Sequence, residues 1–402
     1  MSSKKSTNQA QRQAKKHAKK MAKKHPILTF IVIVLVVCIV GCFVLHTQGV
    51  IHIPFLDGIL SDEKSEPTES VGGAFTEQDI AEIKGSEVSI HFLMLGNKYT
   101  GDCTLIKAGD TEVLIDAGSK QSSAGTIVPY IQEYCTDGVL EYVIATHADQ
   151  DHIAGFVGTK TYPGIFDSFE CEVIIDFPLT NKDTQVYQNY CELREKEVAL
   201  GAKHYTALEC WNNANGAQRS YALSDTVTMH FLYQKFYEET TSDENDYSVC
   251  MLLQDGTNNY LFTGDLEKDG ESSLVQNNTL PKCKLFKAGH HGSKTSTTSA
   301  LLEVVQPEIV CVSCCCGSDE YTKDVANQFP TQDFVNRVAP YTKQVFVTTI
   351  VADNEEGYAP LNGNIVITYS AGAVKVRCSN NATLFKDTDW FKNNRICPSA
   401  WA

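Results

Sequence analysis

The feature that most restricts the fold of this chain is a short run of metal-competent side chains. It has the sequence THADQDH at residues 146–152 and follows YVIA, which has the apolar, β-branched character of a buried strand. Imidazole nitrogens and carboxylate oxygens together suit zinc, manganese or iron. In a loop that leaves a strand, this spacing lets His147 and Asp149 face one ion while Asp151 and His152 face a neighbouring one. The alternative is a polar surface loop in which the histidines are coincidental.

The pattern outside this run predicts strands in series, interrupted by helices. Residues 88–95 and 283–287 are predicted strands, and residues 184–200 and 332–338 are predicted helices. Such an order is typical of sheets packed face to face with helices outside. By itself it predicts only an α/β or α+β fold.

Five further motifs follow the same order along the chain as the motifs of a known group of enzymes. They are GDCTLI at 101–106, VLIDAG at 113–118, NDYS at 245–248, FTGD at 262–265 and LFKAGHHGSK at 285–294.

With the run at 146–152, these motifs resemble the signature of the metallo-β-lactamase superfamily. Within the pattern His-x-Asp-x-Asp-His that begins at His147, an aspartate in the third position, here Asp149, resembles the subgroup that contains the hydrolase domain of the competence protein ComEC. The resemblance extends over about residues 88–378. It implies an α/β fold of the superfamily, a four-layer αββα sandwich, for a hydrolase domain at residues 85–402. It also implies a site for two divalent metal ions, zinc or manganese.

The resemblance assigns roles to individual side chains. Asp265 is expected to bridge the two metals, and either His290 or His291 completes the site. Asp151 is expected to ligate a metal and to accept a proton from the attacking water, and Asp116 to orient a ligand histidine. For Asp116 the alternative is a turn-capping residue. The predicted metal ligands are therefore His147, Asp149, Asp151, His152, Asp265, His290 and His291.

Three residues beside the histidine pair are candidates for binding substrate. Lys287, Ser293 and Lys294 are predicted to meet a phosphate group; the alternative is that they are ordinary solvated loop residues. The chain departs from the family at Phe329, before Pro330, where relatives tend to have a histidine.

The N-terminus has the pattern of a membrane anchor. Residues 1–26 form a basic arm with nine lysines and arginines and no acidic residue, and residues 27–45 carry no formal charge. We predict a transmembrane helix at 27–46, because about 20 apolar residues cross a bilayer, and a linker at 47–84. The lysines place the N-terminus in the cytoplasm and the hydrolase domain outside the cell, in a single-pass protein of the cell membrane. A cleaved signal peptide and a lipid-modified Cys42 are the alternatives.

The net charge of the chain limits which partners it is expected to bind. Beyond residue 26 the chain has 34 − 9 = 25 basic and 49 acidic residues, a net charge of −24. An acidic domain disfavours coating of long nucleic acid, and the basic arm suits anionic lipid. The expected partners are thus a lipid membrane and a small phosphoester or nucleic-acid substrate, while protein partners are not specified.

Three functions remain open at this level. The first is a phosphodiesterase or nuclease-like hydrolase that uses water activated by two metals. The second is an extracellular hydrolase of another ester, lactone or phosphoester, which the net charge of −24 favours. The third is a metal-stabilised binding or scaffold module without turnover.

Fifteen cysteines, thirteen of them outside the apolar segment, make some disulfides plausible for an exported domain. Cys311 and Cys314 have the spacing of a zinc-ribbon half, but no second such pair exists. We interpret Cys311 as a buried strand residue and Cys314, Cys315 and Cys316 as residues that flank a turn.

Overall fold

The computed structural model of the protein describes residues 74–352 and 357–402. In these ranges helices and strands alternate. The helices are α1 (Glu77–Lys84), α2 (Ala124–Tyr134), α3 (Gln150–Val157), α4 (Ile165–Ser168), α5 (Gln185–Leu200), α6 (Ala207–Asn212), α7 (Lys268–Asn277), α8 (Ser299–Val305), α9 (Gln332–Val338) and α10 (Asp389–Asn394). The strands are β1 (Val88–Phe92), β2 (Thr104–Ala108), β3 (Thr111–Ile115), β4 (Val139–Ile144), β5 (Glu170–Asp176), β6 (Lys203–Thr206), β7 (Ser220–Ala222), β8 (Val227–Leu232), β9 (Cys250–Asp255), β10 (Asn258–Phe262), β11 (Leu285–Lys287), β12 (Ile309–Cys316), β13 (Val345–Val351), β14 (Tyr358–Pro360), β15 (Ile365–Ser370) and β16 (Ala373–Cys378).

These strands form two mixed sheets of eight. One has the order β16-β15-β1-β2-β3-β4-β5-β6 and the other β14-β13-β12-β11-β10-β9-β8-β7. In the first sheet β3 to β6 are parallel neighbours, and in the second β10 to β13 are. Parallel neighbours need crossover connections, which explains why helices follow β4, β5 and β10. The predicted two-sheet α/β class is confirmed.

The alternation of side chains along β10 shows how the layers stack. Phe262 faces the core between the sheets, where its ring stacks at 6.5 Å on Phe92 of the first sheet. Leu261 points the other way, into a second core with Leu301 of α8 and Phe334 of α9. Each such fully buried side chain contributes about 1.5–3 kcal/mol to folding. These two cores place the sheets face to face and helices α8 and α9 on the outer face of the second sheet.

This topology gathers the sequence motifs at one edge of each sheet. Asp116 follows β3, the run at 146–152 follows β4, Asp265 follows β10, and Gly289–Gly292 follows β11. All four segments leave the carboxyl end of a strand that has a parallel neighbour. Ligand sites of α/β folds lie at such ends.

The last part of the predicted linker at 47–84 is a helix. Thr76 caps α1 and exchanges hydrogen bonds with Asp79, which forms a capping box. Ile83 is buried, and Arg377 of β16 forms an ion pair with Glu82 of the helix. The folded part therefore begins before residue 85, because this short helix supplies an apolar residue and two acidic partners to the first sheet.

The predicted basic arm at 1–26 and transmembrane helix at 27–46 lie outside the described residues. Among the residues that the structure describes, no helix is both long and apolar enough to cross a bilayer.

Thirteen cysteines lie in the described ranges, and all have free thiols. The plausible disulfides are thus not formed there. Cys311 is a buried residue of β12, as interpreted, and Cys314, Cys315 and Cys316 are the last residues of the same strand, directly before the turn at Gly317. They continue the same strand, because the register of β12 against β13 shifts between Val312 and Cys315 and pairing then resumes.

Candidate metal centre

The run at 146–152 spans a loop and the first turn of a helix. Asp149 is the N-cap of α3, so Asp151 and His152 lie in its first turn rather than in the loop. The neighbouring chain is packed tightly against this turn: a Cβ at Gly118 would lie 1.4 Å from the carbonyl oxygen of Asp151. Only glycine fits there, which explains the Asp-x-Gly motif after β3.

A serine from a different motif fixes the position of Asp265. The backbone N–H of Asp265 donates to Ser248 Oγ at 3.0 Å, and the preceding Gly264 has φ +54°. A Cβ at Gly264 would lie 2.8 Å from that same Oγ. The NDYS and FTGD motifs therefore form one structural unit that directs the Asp265 carboxylate inward.

The two adjacent histidines of the GHHG turn point to different places. Both have left-handed backbones, with φ +43° at His290 and +55° at His291. His291 is fully buried, and its Nδ1 donates to the carbonyl of Ser313 at 2.8 Å. His290 is partly exposed, and its Nδ1 lies 3.1 Å from Glu267 Oε1. Of the two alternatives, the structure directs His291 to the site and His290 away from it.

Four of the predicted ligands meet in one cluster. The Oδ2 atom of Asp265 lies 3.2 Å from His152 Nε2 and 3.0 Å from His291 Nε2. Asp151 Oδ2 lies 3.5 Å from His291 Nε2. Among the described residues, neither Nε2 atom has a hydrogen-bond partner, although both are buried. A buried polar atom without a hydrogen bond is costly, so these two nitrogens are suited to bind a cation.

Hydrogen bonds behind the histidines set which nitrogen faces the cluster. Asp116 Oδ2 accepts from His152 Nδ1 at 2.7 Å, while Asp116 Oδ1 accepts from the backbone N–H of Thr146 at 2.7 Å. The proton on Nδ1 leaves the Nε2 lone pair of His152 free to coordinate. This is the geometry expected of Asp116 as an orienting residue.

The remaining two predicted ligands lie beside the cluster. The His147 ring centroid is 4.1 Å from that of His152, and His147 Nε2 is 3.7 Å from Asp149 Oδ2. Asp149 is also held by Lys182, whose Nζ is 2.5 Å from Asp149 Oδ1. Lys182 had no signal in the sequence, because it reaches the site from the loop after β5.

Sequence reasoning missed Asp102 and did not anticipate the burial of Lys287. Asp102 is buried, and one of its oxygens belongs with atoms of His152, Asp265 and His291 in a group that lies within 4.8 Å. Lys287, predicted to meet a phosphate group, is buried, forms an ion pair with Asp102 and lies 3.6 Å from Asp265 Oδ1. The ammonium group of Lys287 balances the negative charge of the buried carboxylates. The signal in the sequence that could have indicated this pairing is Asp102 in the GDCTLI motif.

The donors suit a divalent cation. Burial alone would lower the pKa of His291, but the negative charges of Asp265 and Asp102 raise it to about 10. A pocket that holds a proton so tightly favours cations, and its imidazole nitrogens and carboxylate oxygens are ligands of zinc and manganese.

The other predicted substrate residues differ in exposure. Ser293 is buried, and its hydroxyl bonds to Thr295 Oγ1 at 2.9 Å. Lys294 is exposed, and its Nζ donates to Asn327 at 3.0 Å. Of the three predicted contacts, only Lys294 is thus open to solvent.

Comparison with known proteins agrees with this geometry. Residues 96–160 match the metallo-β-lactamase superfamily. The chain is 30% identical over 220 residues to Recombination protein 2 of Haemophilus influenzae, which covers 53% of this chain and 23% of that protein. It is 27% identical over 177 residues to ComE operon protein 3 of Bacillus subtilis, covering 43% of this chain and 20% of the relative.

A third relative is competence protein ComA of Neisseria gonorrhoeae, 27% identical over 241 residues, covering 59% of this chain and 28% of the relative. The chain spans about a quarter of the length of these relatives. The fold, the buried Asp/His cluster and these matches agree: one segment of the chain matches the metallo-β-lactamase superfamily, and the chain resembles part of these recombination and competence proteins.

Proposed function

We propose that this protein is a metal-dependent phosphodiesterase. The observation that carries the proposal is the convergence of His152, Asp265 and His291, with two buried Nε2 atoms that lack partners among the described residues. Asp151 adds a carboxylate to this cluster, and His147 with Asp149 provides adjacent donors for a second ion.

Each residue of the site has a definite task in such a reaction. Asp265, His152, His291 and Asp151 would hold one divalent ion, zinc or manganese, and Asp265 would extend to a second ion at His147 and Asp149. Bound ions of this kind lower the pKa of water and stabilise negative charge in the transition state. Asp151 would also take up the proton of the attacking water. Asp116 keeps His152 in the tautomer that can coordinate.

A phosphodiester substrate is supported by the resemblance to a recombination protein and a competence protein and by the exposed Lys294 beside the histidine turn. The net charge of −24 beyond residue 26 favours the second candidate, a hydrolase of another ester, lactone or phosphoester. Both candidates use the same cluster and differ in what binds at its mouth.

A substrate panel separates the candidates. Full-length protein would be purified in detergent, stripped with a chelator, reloaded with zinc or manganese and assayed on bis-p-nitrophenyl phosphate, a lactone and a β-lactam. We expect metal-dependent cleavage of the diester, with Asp265→Asn as the inactive control. Hydrolysis of the lactone alone would support the second candidate, a hydrolase of another ester, lactone or phosphoester, in place of the phosphodiesterase. No turnover with either metal would leave the binding or scaffold module.

We further propose that residues 27–46 hold the enzyme at the cell membrane, with the hydrolase domain outside. The apolar segment and the nine basic residues before it support this topology. Intact-mass measurement of the membrane-extracted protein tests whether the anchor is retained without cleavage or lipidation. A mass that includes residues 1–46 is expected, whereas a shorter chain or a lipid adduct at Cys42 would indicate cleavage or lipidation.

A further inference from the structure

A line of aromatic rings leads from solvent to the metal cluster. Tyr321 is 54% exposed, and its ring centroid lies 5.5 Å from that of Phe329. Phe329 in turn lies 6.0 Å from the His291 ring and 5.7 Å from the His290 ring. Phe329 thus places an apolar ring between Tyr321 and the two histidines of the GHHG turn.

The Tyr321 ring is held in place although it is exposed. Its hydroxyl donates to Asp151 Oδ2 at 2.6 Å, which ties the ring to the cluster. The preceding residue, Glu320, accepts from the backbone N–H of Thr100 at 2.9 Å and lies 3.1 Å from Lys120 Nζ. A group that contacts the ring therefore lies beside the reacting atoms.

The backbone around Phe329 is equally fixed. Arg395 donates to the carbonyl of Gln328 at 2.7 Å and to that of Pro330 at 2.9 Å, so one guanidinium clamps both neighbours of Phe329. The carbonyl of Phe329 itself accepts from the backbone N–H of Gly317 at 3.1 Å. The two rings form a preorganised surface that loses little entropy when a ligand covers it.

The net charge of the chain limits how this aromatic surface could bind a nucleotide. Binding of nucleic acid by phosphate contacts requires basic residues that replace counterions, and the chain beyond residue 26 has a net charge of −24. Stacking of a base on an aromatic side chain contributes about 1–3 kcal/mol and needs no positive charge. An acidic phosphodiesterase can thus hold a nucleotide substrate by its bases, provided that their faces are free.

We propose, on the premise of the phosphodiesterase function above, that Tyr321 and Phe329 form a stacking subsite for one unpaired base next to the scissile phosphate. The substrate is then a nucleotide or single-stranded nucleic acid. Bases inside a duplex and diesters without a base are poorer ligands because they present no free base face to the rings.

The test compares binding of two probes to the full-length, metal-loaded protein. One is a fluorescein-labelled single-stranded oligonucleotide, and the other has the same backbone with abasic sites. Both carry phosphorothioate linkages to resist cleavage, and binding is followed by fluorescence anisotropy. We expect the base-containing probe to bind about 5- to 150-fold more tightly, which corresponds to the stacking of one base.

Three variants separate stacking from other effects of the tyrosine. Tyr321→Leu and Phe329→Leu should each bring the affinity ratio of the two probes toward one. Tyr321→Phe is the matched control, because it keeps the ring and removes only the hydrogen bond to Asp151. It should retain the affinity ratio while the hydrolysis rate changes.

The possible outcomes distinguish this proposal from the one on which it rests. Equal affinity of wild-type protein for the two probes, or an unchanged ratio in Tyr321→Leu and Phe329→Leu, overturns the stacking subsite even if unmodified diesters are cleaved. A base preference that depends on both rings, without hydrolysis of any unmodified diester, overturns the phosphodiesterase and upholds the subsite. Loss of the ratio in Tyr321→Phe would show that the hydroxyl, and not the ring, recognises the base.

Discussion

His91 in β1 and His291 in the GHHG turn are both fully buried, yet their surroundings differ. His91 has hydroxyl partners at both nitrogens, Tyr130 at 2.8 Å and Ser89 at 2.8 Å. Burial, with a smaller contribution from the charge of Lys107, lowers the pKa of His91 to about 3. The carboxylates around His291 overcome the same burial and raise its pKa to about 10.

The two histidines differ in their hydrogen-bond partners, and this difference distinguishes a core histidine from a metal-ligand histidine. Both nitrogens of His91 are satisfied, so it has no lone pair to offer and stabilises the fold as a neutral ring. His291 uses Nδ1 on a backbone carbonyl and keeps Nε2 without a partner among the described residues. A buried histidine marks a metal centre when one nitrogen is spare and carboxylates face it.

The largest effect is expected from His291→Ala. Removal of its Nε2 should release at least one metal equivalent and lower kcat/KM on the order of 10³-fold, because metal stabilisation contributes several kcal/mol. Elemental analysis and initial rates measure the two effects. His290→Ala, the matched neighbour, should keep its metal content. Equal metal loss in both variants would contradict the assignment of His291.

Asp116→Asn should have a smaller effect on the same centre. It leaves His152 in place but removes the charge that accepts from Nδ1, and loss of such a partner costs about 10–100-fold in metal affinity. Competition with a fluorescent chelator measures this. Asp110→Asn, at an exposed turn, is the control. Wild-type affinity in Asp116→Asn would mean that the carboxylate only caps its turn.

The lowered pKa of His91 predicts that the folded protein loses stability in acid. The pKa of His91 is about 3 in the folded chain, below the ordinary value of 6.5 that holds in the unfolded chain. Between these two pH values the unfolded chain binds a proton at His91 and the folded chain does not. The stability that the neutral ring contributes is complete above pH 6.5 and falls as the pH drops toward 3. At about pH 5 the loss is roughly 2 kcal/mol. Urea unfolding at two pH values should show a smaller pH effect in His91→Gln.

The smallest effect is expected from Tyr130→Phe. It leaves His91 Nδ1 without its hydroxyl partner, at a cost of about 1 kcal/mol in the free energy of unfolding. Metal content should not change. Tyr162→Phe, which removes a hydroxyl from a residue that is 46% exposed, is the control. If Tyr130→Phe released metal, the two histidine environments would not be independent.

Much of the fold was predictable because its elements carry local signals. The helix predicted at 184–200 is Gln185–Leu200, and the one predicted at 332–338 is Gln332–Val338. The strand predicted at 283–287 is shorter, Leu285–Lys287, since the residues before it pair only through loop hydrogen bonds. The helix Glu77–Lys84 was missed because eight residues give a weak periodic signal beside a polar, glycine-containing stretch.

The choice between His290 and His291 could not be made from sequence, because adjacent residues share every local signal. It depends on two left-handed backbone positions and on the carbonyl of Ser313 in another strand. The burial of Lys287 could not be predicted for a similar reason. Its partner Asp102, whose negative charge neutralises the ammonium group, lies far away along the chain.

The sequence alone determined the donor types, their order and the alternating patterns that make two sheets, since these depend on side-chain chemistry and on periods of two and 3.6 residues. Only the tertiary structure decided which nitrogen is spare, which cation is buried and which rings line the mouth of the site. Those properties arise from contacts between residues more than 20 positions apart, such as Ser313 with His291 and Tyr321 with Asp151.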